Sequence, residues 1–366
     1  MPLDPIFRAA SFGEIAGWAR DDHDAAFRAF RRSALHAQRT PYRTGSLAVD
    51  ASAFRDAFAD AVQRDPMACG GREFFERHFR PFAVEPDGDL AGFVTGFYEP
   101  EVEASPVRTA RFTVPLLGLP DDLVKVDDLN RPAGFDPYFA FGRASGEGIV
   151  EYFDRAAIEG GALGARAKPL AWLAGKVDAF FIHVQGAARL HFADGSVRRV
   201  TYAAKSGHPF TGPGRVLAEL GEIPREQVTM QSIRAWFAKN PARIDEILHK
   251  NRSYIFFREA PVSDPALGPV AAAKVPLTAG RSMAVDRLLH TFATPVFIDA
   301  PTLPAFGGAP FARLMIAQDT GSAIVGPARG DLFAGSGAEA GEIAGVVRHP
   351  ARFFALLPRS LVGSAP

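Results

Sequence analysis

From Tyr254 to Leu357 the chain alternates short β-type runs (YIFF, KVPLT, MAVD, TPVFID, RLMIAQD, FFALL) with turns built on Gly and Pro. Runs that short leave no room for long helices, and their spacing reads as a small closed barrel in which each strand finds neighbours on both sides. The front of the chain follows another period. From Ile15 to Ala34, Trp18, Ala25 and Phe30 recur at roughly helical spacing. Asp21, Asp22 and Asp24 stand toward the start and Arg28, Arg31 and Arg32 toward the end, the order that suits a helix dipole. Ala51 to Phe82 carries two further helical patterns, the second of which, GREFFERHFRPF, stops at Pro81. LAGFVTGFY, Leu90 to Tyr98, then reads as a buried strand.

From about Glu103 to Met230 the text shifts toward strands, turns and proline. Ala179 to Val184 reads as an apolar strand running into Gln185 and Gly186, and ADGS at Ala193 to Ser196 as the turn of a hairpin. Ser232 to Asn251 is helical again, with Ser232 as the start and Pro241 opening a second helix behind Asn240. The expected fold is α+β, mainly β with helices. A discontinuous outer domain spans 1–102 and 232–366, and a β domain is inserted over 103–231. At 366 residues a single core would be oversized, so two lobes with a groove between them are expected.

Composition narrows the function. Lys plus Arg equals Asp plus Glu, 41 each, so there is no net field to hold a nucleic acid. Apolar residues at 47% and charged residues at 22% fit an ordinary globular chain. The 31 Phe residues are expected to fill cores, since the ring has no polar handle for a ligand. Cys69, the single cysteine, can form no internal disulfide. The first residues show neither a signal-peptide run nor a lipobox, and no stretch reaches the roughly 18 apolar residues of a spanning helix.

Three aspartates end or open apolar runs in the last hundred residues: Asp299 after PVFI, Asp319 after RLMIAQ and Asp331 before LF. A turn-capping role competes for each, and for Asp299, with Ala-Pro behind it, capping leads. Asp331 is the better acid, because Leu332 and Phe333 would form an apolar wall that raises a carboxyl pKa. Gly321 and Gly335 belong to the glycines crowding the backbone around these acids, where a ligand would come close. Thr95, Gly96, Tyr98 and Glu99 cluster at a strand end, with simple packing of Tyr98 and solvation of Glu99 as the alternative. Gln185 and Gly186 offer a donor and acceptor suited to a sugar, or an ordinary turn. His78, His183, His191, His249 and His349 keep no metal-ligand spacing, and no HExxH, CxxC, GxSxG or phosphate loop occurs.

Six ordered segments carry a resemblance: TGFYEP (Thr95–Pro100), VQGAARL (Val184–Leu190), GHPFTG (Gly207–Gly212), MQSIRAWFAKNP (Met230–Pro241), NRSYIFFRE (Asn251–Glu259) and the stretch PLTAGRSMAVD, PVFID, QDTGSAIVGPARGDLFAGSG. Together the sequence resembles the membrane-bound lytic transglycosylase A (MltA) family with its C-terminal three-aspartate (3D) domain, here about 274–358. The resemblance implies a double-psi β-barrel with a second β domain inserted and a glycan groove between them. It implies cleavage of the β-1,4 bond between N-acetylmuramic acid and N-acetylglucosamine with 1,6-anhydromuramoyl products, and no metal or cofactor. By the motif DLFAG the catalytic residue is Asp331, supported by Asp319. Sugar contacts are expected from Thr95, Gly96, Tyr98, Gln185, Gly186, Asp299, Gly321 and Gly335. Ser322 and Val325 stand where the family commonly has Gly and Lys, and Ala187 and Ala188 where it usually has Gly or Ser. The implied setting is the periplasm or cell envelope, as a monomer acting on peptidoglycan strands with a peripheral outer-membrane or wall-complex association. An inverting hydrolase using Asp319 or Glu99 to activate water, and a non-catalytic wall-binding protein, are the rival readings.

Overall fold

A computed structural model describes residues 3–67, 70–86, 92–307 and 310–362. Cys69, and Leu90 and Ala91 at the start of the expected strand, lie outside the described residues. The chain divides into two compact units, Met1–Tyr98 with Asp264–Pro366, and Glu99–Ser263. The architecture is mixed α+β, mainly sheet with helices.

The first unit is built on eight strands: β1 Phe7–Ala9, β2 Phe79–Val84, β3 Gly92–Glu99, β4 Ser282–Val285, β5 Pro295–Ala300, β6 Phe311–Asp319, β7 Arg329–Ser336 and β8 Arg348–Pro358. They lie in the order β1-β2-β8-β5-β6-β4-β7-β3, and β8 also pairs with β3. β8 can do both because it is long: Arg348 to Ala351 face Thr95 to Gly92, while Phe354 to Pro358 face Ala83 to Phe79. The KVPLT run is not one of these strands; only an isolated bridge, Val270 to Pro276, forms there. The DLFAG segment, missed as a strand by its glycines, lies within β7.

Helices α1 His23–Ala37, α2 Arg55–Gln63 and α3 Gly71–His78 cover this sheet. The helix start expected among the front aspartates is Asp22, whose side chain accepts from Ala25 N–H at 3.0 Å. Asp24 in the first turn then takes the N–H groups of Gly70 and Gly71, tying α3 to α1. Phe27, Phe30, Phe54, Phe74, Phe75 and Phe79 are buried together, with the Phe30 ring centroid 5.5–5.9 Å from those of Phe74, Phe75 and Phe79. Each ring removed from water contributes about 1.5–3 kcal/mol.

The second unit holds a four-stranded sheet of 101–103, 187–191, 197–205 and 255–260, and smaller sheets of two and three strands. The expected hairpin is present, closed by Phe192 N–H to Ser196 O at 3.0 Å. Three features differ from the sequence reading. Residues 232–263 pack in this unit, because Ile255–Ala260 adds antiparallel to Val197–Lys205. The segment read as a strand before Gln185 is a helix, Lys176–Gln185, stopped by Gly186 at φ +76°. Its buried apolar run carries no alternation, so strand and helix read alike. The later helix starts earlier than Ser232: Thr229 is the cap of Met230–Lys239, and Ser232 closes its capping box. Among the described residues no helix is long and apolar enough to cross a membrane.

Candidate active site

The short central strand β4 brings the acids together. Ala284 pairs with Asp331 on β7 and, on its other side, with Asp319 on β6. Cross-strand partners share a face of the sheet, so both carboxyl groups project from the same side of one row, flanking a methyl group. Alternation sorts the neighbours. Phe333, two residues beyond Asp331, lies in the same small apolar cluster as Ala284, Phe97 and Ile324, while Leu332 belongs to the main core on the other face. The apolar wall expected of both Leu332 and Phe333 is therefore supplied by Phe333, backed by Phe97 at a centroid distance of 5.2 Å.

Thr95 Oγ1 donates to Asp331 Oδ1 at 2.5 Å and accepts from Arg329 Nη2 at 2.8 Å. Burial raises the Asp331 carboxyl, and the Thr95 hydrogen bond and the Arg329 charge pull it back. Asp319 is pushed up to about 6 by burial, against hydrogen bonds from the Thr320 and Ala272 amides and with the charge of Asp331 pushing the same way. Ala272 N–H lies 3.1 Å from Asp319 Oδ1. Two buried acids in a shared row, one raised further by the charge of the other, can hold a proton and return it.

Arg329 was not singled out from the sequence. The signal was present: it stands two residues before Asp331 on a strand, the spacing that puts two side chains on one face.

The other expected residues are placed as follows. Gly96 and Tyr98 alternate with Thr95 and meet α4, Gly337–Val346: a Cβ at Gly96 would come within 2.8 Å of Ala344 Cα, and the Tyr98 ring lies against Gly341. Close packing accounts for both. Gly335 is buried at φ +123°, a backbone conformation that favours glycine, and Gly321 lies in the exposed turn after Asp319. Asp299 is 2% exposed and accepts from Arg352 Nε at 3.0 Å, its cross-strand partner on β8, so its carboxylate is occupied by an ion pair rather than a turn.

Gln185 and Gly186 belong to the second unit, at the end of the helix just described. Glu99, the alternative water-activating base, is fully buried between two arginines, with Arg189 Nε at 2.9 Å and Arg199 Nε at 2.5 Å. A carboxylate gripped by two guanidinium groups is a structural anion. Glu159, Asp245 and His249 gather their ligand-type atoms within 4.8 Å, but Arg155 and Lys176 already pair with the two carboxylates.

Comparison with known proteins identifies the family. The MltA specific insert domain matches residues 93–258 and the 3D domain residues 281–357. The membrane-bound lytic murein transglycosylase A of Escherichia coli K12 is 32% identical over 306 residues, covering 81% of this chain and 74% of its own. The crystal structure of a membrane-bound lytic murein transglycosylase from Agrobacterium tumefaciens superposes with a TM-score of 0.91 at 50% identity, over 97% of this chain and 98% of that one. The structure of E. coli MltA with bound chitohexaose gives 0.69 at 25% identity, over 97% and 95%. With its two characteristic domains in order and relatives matched over most of their length, this chain belongs to the membrane-bound lytic murein transglycosylase A family.

Proposed function

We infer that the chain is a peptidoglycan lytic transglycosylase that cuts the β-1,4 bond between N-acetylmuramic acid and N-acetylglucosamine. The observation that carries this reading is the pair of carboxyls raised by burial, Asp319 and Asp331, on either side of Ala284 in a family of lytic murein transglycosylases. Protonated Asp331 gives its proton to the glycosidic oxygen as the C1–O bond of the muramoyl residue breaks. The carboxylate left behind takes the proton of that sugar's C6 hydroxyl, whose oxygen bonds C1 and closes the 1,6-anhydro ring. No water enters. Because the nucleophile is part of the substrate, its effective concentration reaches about 10⁵–10⁸ M when well oriented, and no enzyme nucleophile is needed.

Thr95 and Arg329 favour the carboxylate and so serve the second half of the cycle. A second reading gives the donated proton to Asp319, which is raised to about 6 by burial and by the charge of Asp331. Asp331→Asn and Asp319→Asn separate the two: the variant that abolishes release of anhydro-muropeptides from purified sacculi names the donor. The mass spectrum of the products separates both from hydrolysis, whose fragments are heavier by one water. Glycan binding with no soluble fragment at any pH would overturn the catalytic reading.

The cycle β8-β5-β6-β4-β7-β3 supports reading the first unit as the double-psi barrel of this family, with a second β domain inserted after β3. The names of the relatives, membrane-bound and murein-cleaving, support action on glycan strands at the cell envelope.

A further inference from the structure

The pairing of β4 with β6 contains an irregularity that decides where Asp319 points. Ser282 faces Ile316 and Met283 faces Ala317, but Ala284 faces Asp319, so Gln318 is left without a partner on β4. An extra residue in one strand kinks it and changes which side chain reaches a given face. Without it, Gln318 would occupy the row of Ala284 and Asp331, and Asp319 would turn to the opposite face.

The side chain of Gln318 is fully buried, and its oxygen and both its N–H groups are hydrogen-bonded. Its Oε1 accepts from Ser282 Oγ at 2.6 Å, and its Nε2 donates to Ala29 O at 2.9 Å and Ser33 Oγ at 2.8 Å, both on α1. Ser33 and Ser282 are also fully buried, and Ser282 Oγ accepts Thr278 N–H at 2.8 Å. On its backbone side, Gln318 O accepts from Ala273 N–H at 3.0 Å, next to the Ala272 amide that reaches Asp319. Tyr42 O–H holds the same turn through Ala273 O at 2.9 Å.

We propose that Gln318 is a positioning residue: by pinning the bulge in β6 to α1 and β4, it turns Asp319 onto the face of Asp331 and so builds the acid pair. The step rests on the reading of Asp319 and Asp331 as one site. A fully satisfied buried amide fixes one geometry, whereas an apolar residue of similar length would leave Ala29 O, Ser33 and Ser282 without their partner.

The readout is the ionisation of Asp319 itself, followed by NMR on protein labelled at the aspartate carboxyl carbons, with its signal assigned by its loss in Asp319→Asn. No substrate is present, so the outcome stands whether or not the chain cuts glycan. The charged groups facing Asp319 are Asp331 and, through it, Arg329; Arg32 of α1 is engaged by Thr278. These stay in place in both test variants. Gln318→Met frees the end of β6, exposing Asp319 to water, and its midpoint falls by about one pH unit. Ser33→Ala removes one of the three bonds, keeps Gln318, and moves the midpoint in the same direction by less. A midpoint unchanged in Ser33→Ala, or unchanged in folded Gln318→Met, overturns the proposal. A loss of activity with no change in this midpoint does the same, since it would mark a general structural role.

Discussion

Replacing Thr95 by valine tests the electrostatics of the acid pair with little change in shape. The hydroxyl donates to Asp331 and favours the charged carboxylate, so its removal raises the Asp331 pKa. A hydrogen bond to a charged group contributes about 1.5–3 kcal/mol in a buried setting. Thr95 is only half-buried, so water replaces part of the loss and the low end applies, about 1.4 kcal/mol or about one pKa unit. Arg329, which Thr95 now holds at 2.8 Å, remains on the same strand as Asp331 and limits the rise. If protonated Asp331 begins the reaction, activity falls as pH rises through its pKa, and a higher pKa carries activity to higher pH. The assay is release of anhydro-muropeptides from purified sacculi between about pH 4 and about pH 9, where the alkaline limb should move up by about one unit. A limb that stays in place, or moves to lower pH, refutes the assignment of Thr95 to the ionisation of the acid.

Asp319→Asn should stabilise the protein at neutral pH. Its folded pKa of about 6 lies above an unfolded value of about 3.9, so the folded state binds the proton more tightly, and stability drains away as pH rises through that window, by up to about 3 kcal/mol. Urea unfolding of parent and variant should agree near pH 4, separate between about pH 4 and about pH 6, and keep a constant gap above that; an equal difference at both ends would refute the raised pKa. Glu99→Gln leaves Arg189 and Arg199 buried without their counter-charge and should cost about 3–5 kcal/mol in denaturant unfolding, a loss that a merely solvated glutamate would not give. Gly96→Ala places a methyl against Ala344 and should cost about 1–3 kcal/mol, with melting temperature and activity falling together; lost activity in a fully stable variant would instead support a sugar contact.

The sequence was most informative where side-chain type and local spacing suffice. The Phe-rich core, the helix begun among Asp21, Asp22 and Asp24, and the hairpin at Ala193–Ser196 depend on residues close in the chain, and they form as read. The readings that shifted depend on partners far away. Leu332 and Phe333 look equivalent beside Asp331, and only the two faces of β7 separate the core side from the site side. Gly96 and Tyr98 are read as ligand contacts, and nothing in the local text shows that α4, more than two hundred residues on, packs against them. The bulge at Gln318 follows from register with β4, which no local pattern around QDTG reveals. Lys176–Gln185 was misread because a buried helix of that length shows no amphipathic stripe.

β8 has a consequence for when this molecule becomes dangerous to a cell wall. It joins β2 and β3, made early in synthesis, to β5, made late, so the sheet that holds the two acids remains open until about residue 358 has been added. Such long-range closure is slow, and the row that holds Asp319 and Asp331 stays incomplete until β8 has been made. The topology thus makes the arrival of β8 the event that closes the ring around the acid pair.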